Sequence, residues 1–164
     1  MKSSKIIGLL VLAAGVVMLI SGAMTWGLTS SQLASEKITV APDADNFAGA
    51  EVKGPLTAFA QAEVVKKHTM QASNGLTYAE LGAEVSKAEQ AGDKEKAEEL
   101  QKTRTMVETG NFVRSSLLTS VMAFGVSALV AGLGLLFALV GWALTQVGAP
   151  IAATVTAKAE EATA

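Results

Sequence analysis

Few side chains in this chain of 164 residues are equipped for chemistry: it has one histidine, His68, and no cysteine. His68 follows Lys66 and Lys67, a short cationic run that could read an anionic headgroup or substrate, or supply a single base. A typical catalytic zinc takes at least two ligands from histidine and cysteine, and a non-haem iron centre takes two histidines and a carboxylate, so one histidine without cysteine cannot complete either within one chain. No nucleophile elbow, phosphate-cradling loop or dinucleotide fingerprint occurs. The acidic pairs Glu98-Glu99 and Glu160-Glu161 fall in helical or unpatterned stretches and read as solubilising charge. The net charge is −2 with basic and acidic residues interleaved, which leaves no basic patch for nucleic acid. The residues therefore predict no catalytic group, no cofactor and no metal, and a protein that is not an enzyme. The alternative is a lipid- or ligand-binding component, or an enzyme acting near a membrane surface, working through His68.

The elements that would have to position such groups are set by where charge is missing. Half of the residues are hydrophobic but only 5% are aromatic. No charged side chain occurs from Ile6 to Ser35, nor from Ser115 to Ala157, while the segment between carries almost every charge. Ile6 to Leu28 forms an apolar helix of roughly 34 Å at about 1.5 Å per residue, enough to cross a hydrocarbon core of about 30 Å. Lys2 and Lys5 flank its start and Trp26 stands near its far end, where an indole prefers the headgroup level. A second apolar stretch, Leu117 to Val147, carries Trp142 at the opposite interface. Both termini are then cytoplasmic, since a central loop longer than about 60 residues escapes the positive-inside count. Cleavage of the first segment as a signal peptide is the competing expectation, but the apolar run continues past Ser21, Gly22 and Ala23 to Leu28.

Glycine spacing is the more specific signal in these helices. Gly8, Gly15 and Gly22 recur every seven residues in the first, while Gly125 with Gly132, then Gly134, Gly141 and Gly148, repeat the interval in the second. Seven residues is close to two helical turns, so each set lines a stripe. Small-residue stripes allow the backbone approach that helix association in lipid requires. The expectation is an antiparallel pair with Gly8, Gly15, Gly22, Gly125, Gly132, Gly134 and Gly141 as packing residues, closed on itself or within a larger assembly.

Between the spans, Lys37 to Val40 and Ala50 to Lys53 are short extended pieces separated by the turn formers Pro42 to Asn46. Pro55 opens a helix running to about Gln71, with Leu56, Phe59, Ala60 and Val64 as its apolar stripe and His68 continuing it. Asn74-Gly75 breaks the chain, and Thr77 with Glu80 forms a capping box that starts another helix with the stripe Leu81, Val85, Ala88. Ala91-Gly92-Asp93 interrupts it before a charged helix with Leu100, Thr103 and Val107 on one face. Gly110-Asn111 either kinks the chain before Phe112 or lets that helix run on into the second span.

The fold class expected is a mainly α membrane protein. Two antiparallel transmembrane helices (6–28 and 116–147) flank a small, mostly helical extracytoplasmic domain (29–115) with at most a short β-ribbon. Its helix spans about 55–71 and its helical hairpin about 78–108, between a cytoplasmic N-terminus (1–5) and a disordered cytoplasmic tail (148–164).

The segments SGAMTWGLTSSQL, GPLTAFAQAEVVKKHTMQAS, TYAEL and NFVRSSLLTSVMAFGVSALV resemble a family of small two-span actinobacterial membrane proteins of unknown function. Some of its members are labelled aromatic ring-opening dioxygenases, a chemistry that needs histidines this chain lacks. The resemblance implies two spans and a plasma-membrane location, and no site residues. Partners expected from the whole reading are the lipid bilayer and another membrane protein or a second copy of the chain, with no nucleic acid.

Overall fold

A computed structural model describes residues 2–146. The expectations for Val147, Gly148 and the tail 148–164 lie outside the described residues. Four helices follow one another: α1 (Lys2–Ser35), α2 (Pro55–Ala72), α3 (Tyr78–Gln90) and α4 (Lys94–Gln146). Two of them, α1 and α4, are long and apolar enough to cross a membrane, and in each only 17% of the most apolar 18-residue window is buried. The chain divides into two compact units, one formed by α1 up to Gly27 with α4 from Gly125 onward, the other by Leu28–Phe124.

In the first unit α1 and α4 lie antiparallel. A Cβ built on Gly8 would meet the carbonyl oxygen of Gly141 at 2.8 Å, and one built on Gly22 would meet that of Ser127 at 2.7 Å. The seam is thus backbone against backbone, and large side chains such as Ile6, Leu10, Val17, Leu129 and Leu139 point away from it, exposed.

The second unit has its core where the end of α1, the 38–52 loop, α2 and the middle of α4 meet: Leu33, Val40, Val52, Ala58, Ala62, Leu117 and Phe124. The extended pieces expected at Lys37 to Val40 and Ala50 to Lys53 do pair, through Val40 N–H to Ala50 O and Val52 N–H to Ile38 O, both 2.9 Å. They make one isolated antiparallel bridge, Thr39 with Glu51, and no strand exists among the described residues. Lys37 leaves the extended run, turning left-handed at φ 53° to end α1. What fixes the pairing is Val40 and Val52, which are 1% and 0% exposed.

Helix α2 begins at Pro55, whose fixed φ suits the first turn. The Thr57 hydroxyl accepts from the free amides of Lys53 and Gly54, both at 3.2 Å. Its packed face differs from the expected stripe. Ala58 and Ala62 are fully buried, whereas Leu56 and Phe59 are 66% and 50% exposed. The alanines let α2 approach the Val40–Val52 bridge closely, which turns Leu56 and Phe59 outward, while Val64 of the expected stripe is buried at 5% exposure.

Helix α3 starts at the capping box: the Thr77 amide donates to Glu80 Oε2 at 2.8 Å and the Glu80 amide to Thr77 Oγ1 at 3.4 Å. Leu81, Val85 and Ala88 are buried on its inner face, as are Ala97 and Val107 on α4. Gly82 brings α3 against the guanidinium of Arg104, which stacks 4.1 Å from the Tyr78 ring centroid. Left-handed Gly92, φ 75°, makes the turn into α4. That helix runs unbroken through Gly110-Asn111 and on through the second apolar stretch. No kink occurs because Gly110 serves a packing need: its missing Cβ is the space taken by Thr69 of α2.

Candidate functional site

Two places bring together residues singled out by type: the glycine seam of the α1–α4 pair, and the surroundings of His68 in the Leu28–Phe124 unit.

In the seam, Gly8, Gly15 and Gly22 of α1 face Gly141, Gly134 and Ser127 of α4 in reverse order. A Cβ on Gly15 would come within 2.6 Å of Gly134 O, and one on Gly134 within 2.7 Å of Gly15 O. The neighbours are backbone atoms that no rotamer change can move. Gly125 and Gly132 have no part in this seam, since a Cβ on either would meet nothing within 4 Å. Gly132 and Gly134 are two residues apart, about 200° around a helix, so the expected α4 set comprises two stripes on nearly opposite faces. Only the register Ser127, Gly134, Gly141 meets α1; Ser127, one interval before Gly134, is a seam residue that the glycine spacing did not include.

Trp142 adjoins Gly141, at the level of Gly8, and Trp26 lies four residues beyond Gly22. The 18 residues separating positions 8 and 26 correspond to about 27 Å along α1. The two indoles therefore sit at opposite ends of the pair, 40% and 57% exposed for Trp26 and Trp142.

His68 is gathered with Asp43, twenty-five positions earlier. His68 Nε2 lies 2.9 Å from Asp43 Oδ2, and Lys67 Nζ donates to the same oxygen and to the Asp43 carbonyl, each at 3.2 Å. The hydrogen bond from His68, and then that from Lys67, hold the Asp43 carboxyl below its ordinary range. Lys66, the third member of the cationic run, lies elsewhere, beside Met70 and Tyr78. An anion approaching Lys67 and His68 would have to displace a carboxylate already bound there, so the arrangement works as a latch for the 41–50 loop. The loop is further tied to α2 where the Ala41 amide donates to Gln61 Oε1 at 3.0 Å. Among the described residues no group of three His, Cys, Asp or Glu is placed to hold a metal ion.

That latched loop forms one wall of a cleft of about 410 Å³ whose other wall is α2. Phe47, Leu56 and Phe59 supply its apolar surface, and Asp43, Asp45 and Glu63 lie on it together with Lys67. Sequence periodicity could not reveal this grouping, because the loop residues carry no period and Leu56 and Phe59 fall at the spacing of a core stripe. Comparison with known protein families, with curated proteins and with solved structures returns no match.

Proposed function

We propose that the chain is a non-enzymatic integral membrane protein of the cell envelope, an accessory, assembly or interaction subunit. In this reading α1 and α4 span the plasma membrane as a closely packed pair, the termini face the cytoplasm and the Leu28–Phe124 unit stands outside it. The observation that carries the reading is the seam, in which Gly8, Gly15 and Gly22 meet α4 main chain while the large side chains point outward. Between two helices in water the favourable arrangement is the reverse, because each buried Leu, Ile, Val, Phe or Met gains about 1.5–3 kcal/mol. In lipid that gain is absent and close main-chain contact is what remains to hold helices together.

Hydroxyl groups on these helices support the same environment. Ser21 donates to Val17 O at 2.8 Å, Thr25 to Ser21 O at 2.9 Å and Thr145 to Trp142 O at 2.6 Å. Each satisfies its donor within its own helix, as a medium without water requires. The level separation of Trp26 and Trp142 also fits a hydrocarbon layer of about 30 Å.

The interaction role is tested by affinity purification of the tagged full-length protein from its native membrane in mild detergent, with mass spectrometry of what accompanies it. A stoichiometric partner is expected, lost when Gly15→Leu splits the seam and kept in His68→Ala. A protein that purifies alone, or a phenotype abolished by His68→Ala and untouched by Gly15→Leu, contradicts the reading.

A further inference from the structure

The cleft between the 41–50 loop and α2 has three features that a merely solvated surface does not require. The first is the sorting of side chains: on α2 Ala58 and Ala62 are buried while Leu56 and Phe59 are left in solvent, 66% and 50% exposed, beside Phe47 of the loop at 47%. Contiguous exposed apolar surface rimmed by polar groups marks an interaction site. The second is strain. Phe47 sits at φ 59°, a left-handed conformation that costs a bulky residue free energy of order 1 kcal/mol or more. The loop holds it there by the bond from the Ala50 amide to Phe47 O and the one from the Gly49 amide to Val40 O, both 2.9 Å, so its ring is presented rather than folded away.

The third feature is charge. Three carboxylates, Asp43, Asp45 and Glu63, face one ammonium, Lys67, in the lining. Asp43 is engaged by Lys67 and His68, and Glu63 is 3.4 Å from Arg114, whereas Asp45 has no ion-pair partner among the described residues. One carboxylate, Asp45, is thus left over beside the apolar surface, and it attracts a cationic group.

We propose that this cleft captures a segment of a partner protein that carries an apolar side chain beside an arginine or lysine. The apolar group lies on Phe47, Leu56 and Phe59 while the cation reaches Asp45. The proposal rests on the interaction reading above and names the chemistry of the partner. It requires no rearrangement of the cleft, because the Asp43 latch already fixes the loop.

The test uses the full-length protein in mild detergent and an array of capped, fluorescent hexapeptides in which phenylalanine and leucine are flanked by arginine, with twins carrying glutamate in place of arginine. Arginine peptides are expected to bind, their affinity falling at least tenfold in Asp45→Lys and in Phe59→Ser, and falling with added salt. Phe59 is half exposed, so the variant keeps its fold, which far-ultraviolet circular dichroism checks. No preference for arginine over glutamate, binding by the two variants as tight as by the wild type, or equal binding by empty micelles, overturns the proposal. Photo-crosslinking from p-benzoylphenylalanine at position 47 in native membranes gives a second readout. Attachment to a basic, apolar segment supports the cleft, and attachment to lipid alone overturns it. A partner that co-purifies undiminished with both variants removes the cleft as its site while leaving the interaction role intact; absence of any partner removes the role itself.

Discussion

Adding one methyl group at Gly15 should weaken the α1–α4 pair, whereas adding one at Gly132 should do nothing. At Gly15 the new carbon would stand 2.6 Å from Gly134 O and 2.9 Å from the Phe137 carbonyl carbon, against 3.4 to 4 Å for ordinary contact. The two main chains would have to separate by at least about 0.8 Å locally, the difference between 3.4 and 2.6 Å, since the Ala138 amide nitrogen lies nearer still. Helix propensity does not compensate, because both helices stay helical when apart and the preference for alanine over glycine cancels. Overpacking of a tight interface costs about 1–3 kcal/mol, which corresponds to roughly 5- to 150-fold in the pairing equilibrium. At Gly132 nothing lies within 4 Å, so the expected change is under about 0.5 kcal/mol. The assay is an SDS titration of protein in mixed micelles, with pyrene excimer emission between Ser4→Cys and Gln146→Cys reporting the closed pair. Gly15→Ala should lower the SDS midpoint and Gly132→Ala should leave it in place. Equal shifts in the two variants, or a larger one at Gly132, would refute the assignment of the packed face.

Removing the Phe124 ring, 1% exposed in the core, should cost the Leu28–Phe124 unit about 3–5 kcal/mol, read as loss of amide protection around Val40 and Val52. Thr77→Ala deletes the hydroxyl that accepts from the Glu80 amide and should destabilise the start of α3 by about 1 kcal/mol, seen in hydrogen exchange of its first turn. Because His68 and Lys67 depress the Asp43 carboxyl, the latch contributes above the ordinary aspartate range and its contribution disappears as pH falls through the lowered native value. Protection factors of the Ala44 and Ala50 amides should therefore drop on acidification in the wild type, and show no such step in Asp43→Asn. Glu80 is depressed by the Thr77 amide first and its hydroxyl second, so α3 should lose protection over a similarly acidic interval, and Glu80→Gln should remove that dependence.

The elements with strong local chemistry were readable from sequence. Thr77 and Glu80 announce α3 because a capping box needs only two residues three apart, and the two apolar helices follow from uncharged runs that no other feature interrupts. Packing between elements was less legible. Leu56 and Phe59 look like core by size and spacing, yet Ala58 and Ala62 take that place, since the bridge of Val40 with Val52 needs a helix surface it can approach closely. Gly110 leaves a kink or a continuous helix equally open in the sequence, and the helix is continuous, with Gly110 making room for Thr69. Gly125 and Gly132 share the seven-residue interval of Gly134 and Gly141, and an interval alone cannot say which of two opposite stripes meets α1. The Asp43–His68–Lys67 latch joins residues far apart in sequence, so nothing local to either could reveal it.

The proposed membrane pair requires α1 and α4 to meet through their small-residue faces while embedded in the bilayer. The chain has no native cysteine, so disulfide trapping in intact membranes is clean. A Cβ on Gly22 would lie 2.9 Å from Ala131 Cβ, so the two positions face each other and a local separation of under about 1 Å brings them into the roughly 3.5–4.5 Å range of a disulfide, while a Cβ on neighbouring Gly132 would meet nothing within 4 Å. Oxidation of Gly22→Cys/Ala131→Cys in membranes resistant to carbonate extraction should give an intramolecular crosslink, and Gly22→Cys/Gly132→Cys should not. Release of the protein by carbonate, or equal trapping of the two pairs, would contradict the account.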